Sequence, residues 1–235
     1  MTEPIDAKAL SGLLGLLTHD MRNPLSALHS NLNYLLTALS AIDRDLSEAA
    51  QDAVASCDGL MHVIENMEVL SFQLGGGEPL PLVGLGFSGL VNEVVERSRM
   101  AAASHGVAVE LKDEVGKSVR IRSNRQMFSR VLENLIRSAI QYCPSGTPVQ
   151  VSTSFEGGRC TVIVADGGTP LAQGQQSEIF TVEGQLRSKS GGASRYGRGL
   201  GFLCAKICAE QAGAEVSALA QPTGQAFALS LPSYG

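Results

Sequence analysis

The chain has 235 residues, 44% of them hydrophobic, and a net charge of −5, which is enough apolar material for one large domain or two small ones and too much for a disordered protein. No basic run argues for nucleic acid or an anionic membrane surface, and with no tryptophan and 5% aromatics a base-stacking platform is not expected. No apolar stretch approaches the length of a membrane span, and the N-terminus lacks a signal peptide's basic start and apolar middle. The five cysteines, Cys57, Cys143, Cys160, Cys204 and Cys208, form no close CxxC pair and lie in apolar-patterned segments, which points to reduced thiols in a cytoplasmic protein and away from a thiolate metal site.

Leu10, Leu14, Leu17, Met21, Leu25, Leu28, Leu32, Leu35 and Leu39 recur at spacings of three and four, predicting a long helix with one buried seam. His19 falls off that seam, nearly opposite its packed face at about 100° per residue, and so meets solvent. The adjacent Asp20 can hold the proton on one ring nitrogen and leave the other lone pair to attack an electrophile such as a phosphoryl group. Taken by itself, the segment fits an ordinary surface histidine on an amphipathic helix better than a nucleophile. Pro24 removes a backbone donor and is expected to bend the helix just past the histidine.

A second helix is predicted from Ala50, Ala53, Cys57, Leu60, Ile64 and Met67, with the turn near Ser40 to Leu46 and Asp43 or Asp45 as its cap. Two such helices have only each other to cover a wide apolar face, so a second copy completing a four-helix bundle, hence a homodimer, is expected. Gly75 to Pro81 breaks the periodicity and reads as a hinge, dividing the chain into domains 1–76 and 77–235.

Beyond the hinge the pattern predicts a helix over Phe87 to Ala103, strands at Val107 to Leu111 and Val119 to Ile121, and a helix over Arg125 to Tyr142. Strands follow at Val149 to Ser154 and Cys160 to Ala165, then a polar loop, a helix near Leu200 to Ala212, and strands at Glu215 to Ala218 and Ala226 to Leu231. This order suggests an α+β sandwich with helices on one face of a mixed sheet.

Within that sandwich, Gly197-Arg198-Gly199-Leu200-Gly201-Phe202 closes a loop and opens a helix, where backbone N–H groups and the helix dipole can cradle phosphates. Such glycine turns also serve as plain helix entries. The polar stretch Thr181 to Tyr196 is long enough for a mobile lid. Val162 to Gly168 ends a buried strand in Asp166, a carboxylate placed either to accept from an exocyclic amine or to close an Asp-Gly turn. On the helix over 125–142, Phe128, Val131, Leu132, Leu135 and Ala139 predict the core face. Asn134, Ser138 and Gln141 or Tyr142 form a neighbouring polar stripe, which can line a nucleotide pocket or make a solvated flank.

Together and in this order, these segments resemble the catalytic core of a two-component sensor histidine kinase over nearly the whole chain. His19-Asp20-Met21-Arg22-Asn23-Pro24-Leu25 is similar to the phospho-acceptor box on the first helix of a dimerisation and phosphotransfer hairpin, and the remainder resembles the ATP-binding sandwich shared with gyrase. The resemblance implies that His19 takes the γ-phosphoryl group of ATP, with Asp20 as its acid–base partner. Asn23 matches the position that orients water for dephosphorylating a response regulator. Asp166 and Gly168 are implied at adenine, Tyr142 as a stacking aromatic near it, Ile179-Phe180 as the phenylalanine box, and Gly197, Gly199, Leu200 and Gly201 at the phosphates.

Asn134 opens the N-box and is implied as the Mg²⁺ ligand. Ser138 stands where relatives carry a second asparagine, a poorer ligand for a hard cation, and Gln141 replaces the usual lysine or arginine that would stabilise the transferring phosphoryl. Pro170 stiffens the first glycine box. The function implied is autophosphorylation of His19 from ATP and Mg²⁺, then transfer to an aspartate of a separate response regulator, with input from another sensor protein or a longer chain. Two other readings stand beside it: a catalytically degenerate kinase acting as a dimeric phosphotransfer or scaffold protein, and an ATPase using Glu133 as a base for water.

Overall fold

Two long helices form the first of two units into which the chain divides, Met1–Glu78 and Pro79–Gly235. The structure is a computed structural model that describes residues 7–39, 44–103, 105–171, 174–190 and 200–234. Helices α1 (Ala7–Leu39) and α2 (Arg44–Leu74) pack as an antiparallel hairpin. The contacts between them run along a stripe offset from the predicted seam. Ser11 Oγ donates to Ser71 O at 2.6 Å and Ser71 Oγ to Ser11 O at 2.8 Å; Thr18 is buried; Arg22 pairs with Glu68 at 2.7 Å and His29 with Asp58 at 3.0 Å.

Of the predicted seam, Leu14, Leu25, Leu32 and Leu39 are half-buried, whereas Leu10, Leu17, Met21, Leu28 and Leu35 are exposed. The apolar arc of α1 is wider than one partner helix can cover, so α2 takes one edge of it and the other edge, extended by Leu13 and Leu16, stays open.

Helix α1 continues through Pro24, which cannot donate to the Asp20 carbonyl one turn earlier. The expected turn residues 40–43, Asp43 among them, lie outside the described residues, while Arg44 to Leu46 are already helical. Asp45 therefore sits in the first turn, where its charge favours the helix N-terminus, rather than before it. The glycines at the far end stop α2: Gly77 N–H donates to Phe72 O and Gly76 N–H to Gln73 O, with Gly76 at φ 103°, the paired bonds of a Schellman cap.

The second unit is built on a mixed five-stranded sheet of order β2-β4-β5-β7-β6, comprising β2 (Val109–Asp113), β4 (Val149–Glu156), β5 (Arg159–Ala165), β6 (Glu215–Leu219) and β7 (Ala226–Pro232). Only β2 and β4 are parallel to each other. A two-stranded sheet pairs β1 (Val83–Gly86) with β3 (Arg120–Ser123). The short turn Gly157-Gly158, with both residues at positive φ, sets the β4–β5 register so that Phe155 faces Cys160.

Alternating burial along β4 and β5 gives the sheet one packed face. Against it lie α3 (Phe87–Ala103), α4 (Arg125–Tyr142) and α7 (Gly201–Gln211), with Phe87, Phe128, Leu132, Leu135, Phe227 and Leu229 buried between the layers. The α+β sandwich is as expected. The stretch expected as a polar loop differs: Val182–Ser190 is a helix, α6, preceded by the short α5 (Gln175–Glu178), while 191–196 of the expected lid lie outside the described residues. Thr181 Oγ1 accepts from Gly184 N–H at 3.1 Å and so caps α6 despite its polar, glycine-containing sequence. Among the described residues no helix is long and apolar enough to cross a membrane.

Candidate functional site

On α1, burial of Thr18 against the hairpin turns the next residue outward. The His19 and Asp20 side chains are 74% and 79% exposed, and His19 Nδ1 stands 3.4 Å from Asp20 Oδ1. If that ring nitrogen carries the proton, Asp20 accepts it and the Nε2 lone pair is the nucleophilic one. Asn23, four residues on, is also exposed and lies one turn away on the same helical flank. Arg22 points elsewhere, toward Glu68 of α2.

In the second unit three segments meet around Asp166. It ends β5 and is buried at 7% exposure. Its Oδ1 accepts from Gly168 N–H at 2.8 Å and from Gln225 N–H at 3.3 Å, while its Oδ2 is buried without a hydrogen-bond partner among the described residues. Desolvation raises the carboxyl pKa above the ordinary 3.8, and the two main-chain hydrogen bonds partly offset that rise. A buried carboxylate oxygen with no donor is the complement of an amine brought by a ligand.

Glycines set the spacing around it. A Cβ on Gly168 would overlap the Tyr142 carbonyl and stand 2.9 Å from Asp166 Oδ1, so the turn after β5 can approach the end of α4 only without a side chain. Gly224 has φ 71°, and a Cβ there would fall on the Asp166 carbonyl.

Asn124 caps α4 by accepting from Met127 N–H at 3.1 Å and so fixes the flank that carries the predicted polar stripe. Asn134 is buried, and its Nδ2 donates to Arg130 O at 2.9 Å. That turns Oδ1 toward Gly201, where a Cβ would stand 3.1 Å from it. An amide oxygen facing the start of α7 is the kind of donor a hard cation takes, which fits a Mg²⁺ ligand. Among the described residues no group of three or more His, Cys, Asp or Glu is placed to hold a metal.

Ser138, Gln141 and Tyr142 are half-buried on the last turns of α4. Leu200 and Gly201 lead into α7, whereas Gly197 and Gly199 lie outside the described residues. Phe180 packs edge-on against Phe202 of α7 and Phe227 of β7, with ring centroids 5.7 and 6.1 Å apart, and so ties the end of α5 to the core. Glu133 bonds Arg97 of α3 at 2.8 Å, an engagement that disfavours it as a base for water. Burial pushes the Cys204 and Cys208 thiols up to about 12, as inert core residues require.

The sequence reading missed Gln225, whose main-chain and side-chain groups close one wall around Asp166. A glutamine in a polar turn has no spacing signal. Only Gly224 beside it hinted at a close approach.

Residues 123–235 match the family described as "Histidine kinase-, DNA gyrase B-, and HSP90-like ATPase". Sensor-like histidine kinase SenX3 of Mycolicibacterium smegmatis is 30% identical over 224 residues, spanning 92% of this chain and 56% of that protein. These findings support a sensor histidine kinase catalytic core in this chain. KinB of Pseudomonas aeruginosa, an alginate biosynthesis sensor protein, is 24% identical over 92% of this chain and 36% of its own length. The chain thus spans about half of the length of SenX3 and about a third of KinB.

Full-length ShkA, solved in complex with AMPPNP, superposes with a TM-score of 0.62 at 21% identity over 94% of this chain and 46% of that one. Acinetobacter baumannii AdeS, a histidine kinase, gives 0.55 at 17% identity over 91% of this chain and 97% of its own. These two likenesses establish the shared fold.

Proposed function

We propose that the chain is an ATP-dependent protein histidine kinase that phosphorylates its own His19 and passes the phosphoryl group to an aspartate of a separate response regulator. The observation that carries this reading is the exposed His19 with Asp20 at Nδ1, on a chain whose other unit is an ATPase-type domain. Asp166 Oδ2 accepts from the adenine amine, and Gly168 lets the base approach. Asn134 would hold Mg²⁺, which when bound offsets charge on the phosphates.

Neutral His19 keeps its proton on Nδ1 toward Asp20. Nε2 attacks the γ-phosphorus, an N–P bond forms, the bond to the bridging oxygen breaks and ADP leaves. Asn23 orients water for the reverse service, removal of phosphate from the regulator. The open leucine edge of α1 is covered by a second copy, making a homodimer, and the exposed surface around His19 receives the regulator. Input comes from a separate sensor or a longer chain, at a cytoplasmic location.

A second reading is favoured by Ser138 and Gln141, which present neither the second amide nor the cation expected beside the phosphates: a dimeric phosphotransfer or scaffold protein with a vestigial ATP fold. Incubation with γ-labelled ATP and Mg²⁺, beside His19→Ala, separates the two. Acid-labile, alkali-stable label on the wild type alone is the expected result. No label on either folded protein would overturn the kinase reading in favour of the second.

A further inference from the structure

Asp166 and Gln225 are neighbours across the ends of β5 and β7, each 7% exposed. Asp166 N–H donates to Gln225 O at 2.9 Å, and Gln225 N–H donates to Asp166 Oδ1 at 3.3 Å. Each residue also ends in a buried oxygen with no hydrogen-bond partner among the described residues, Oδ2 of Asp166 and Oε1 of Gln225. The glutamine amide cannot be turned round to relieve this. Its Nε2 donates to Thr169 O at 3.2 Å, and an oxygen in that place would meet another acceptor. Two orphaned acceptors on adjoining residues are a costly arrangement unless something brings donors to them.

We propose that Gln225 is a second base-selecting residue: its Oε1 and Asp166 Oδ2 together take the two hydrogens of an exocyclic amine, so that the pocket admits a 6-aminopurine and rejects a 6-oxopurine. The inference rests on the reading of this domain as an ATP site. An exocyclic amine is a pair of donors, the complement of two orphaned oxygens. With Asp166 alone, one of its hydrogens would be buried without an acceptor. The oxo group of hypoxanthine is itself an acceptor and would leave both oxygens unpaired while adding a third against them. Gln225 also holds the first glycine turn through Thr169, so the residue that reads the amine fixes the loop beside it.

The test is calorimetric titration of the full chain with ADP and with IDP, in Mg²⁺, for the wild type, Gln225→Met and Gln225→Glu. Methionine keeps the length and removes the acceptor. It also removes the bond to Thr169, so both affinities fall, but ADP binding should fall by about tenfold more than IDP binding and the ADP preference by that factor. Glutamate keeps an acceptor but loses the bond to Thr169. It should lower both affinities together and preserve the preference.

An unchanged preference in Gln225→Met, or an equal loss for both nucleotides, would overturn the role of Gln225 while leaving the ATP site standing. A wild type that binds neither nucleotide would overturn the ATP site itself, and this proposal with it. Should Gln225→Met fail to fold, a lost ADP preference in Gln225→Glu would refute the proposal.

Discussion

Replacing Asp166 by asparagine should move stability and binding in opposite directions. Oδ1 of Asp166 accepts from Gly168 N–H at 2.8 Å and Gln225 N–H at 3.3 Å, and an asparagine oxygen keeps both bonds. What the substitution removes is a buried charge, whose desolvation raises the carboxyl pKa above 3.8 even against those bonds. Relief of this kind is worth about 0.5–2 kcal/mol. At about 2–4 °C per kcal/mol for a domain of this size, Tm should rise by about 1–8 °C.

The pH dependence carries the sign. The folded-state pKa is raised, so the folded state holds the proton more tightly than the unfolded state does. The wild type bears the cost of ionisation above that pKa and loses it as pH falls through it. The advantage of Asp166→Asn is therefore greatest at neutral pH and fades as the pH nears the ordinary carboxylate range. Binding goes the other way, because Nδ2 replaces Oδ2 and meets an amine donor with a donor. Loss of a charged hydrogen bond of about 1.5–3 kcal/mol lowers ADP affinity by about 10- to 150-fold. Thermal unfolding across that pH range and calorimetric titration with ADP measure both. A lower Tm at neutral pH, or wild-type ADP affinity, would refute the reasoning.

Two further outcomes are expected. Leu28→Glu combined with Leu35→Glu places charge on the open edge of α1 without touching its bonds to α2, so the variant should sediment as a folded monomer and the wild type as a dimer; a dimer in both would put the subunit contact elsewhere. Ser138→Asn restores an amide oxygen one turn beyond Asn134 and should raise the rate of label transfer from Mg²⁺-ATP to His19 severalfold, and a rate at or below wild type would show that the hydroxyl is not what limits the metal site.

Helices α3 and α4 were legible to the residue, Phe87–Ala103 and Arg125–Tyr142, because each has a continuous apolar face on one side of the same sheet. Strand β2 was read two residues early. Val107 and Val109 are both buried, and a period of two does not say which of them begins the ladder. Val83–Gly86, between the hinge and α3, carries no strand signal because its two glycines look like linker, although the strand is held by pairing with β3. Helix α6 was read as loop because its composition is polar. Its start was written in Thr181 and Glu183, a cap followed by an acidic first turn.

The errors on α1 and around Asp166 share a cause. Periodicity reports which residues are apolar, and burial depends on what stands opposite. On α1 the leucines were identified correctly, but a single α2 cannot cover them all, so His19 is flanked by exposed Leu16, Leu17 and Met21 rather than set on the far side of a closed seam. Around Asp166 the same gap has the reverse effect. Asp-Gly-Gly at a strand end announces a carboxylate at a turn, yet its second oxygen is orphaned only because β7 returns from 59 residues away to seal that side with Gln225. Chemistry that resides in one side chain is visible in its letter and its neighbours. Chemistry that depends on a missing partner, an uncovered leucine edge or an unanswered carboxylate oxygen, becomes visible only when the fold shows that none of the described residues supplies it.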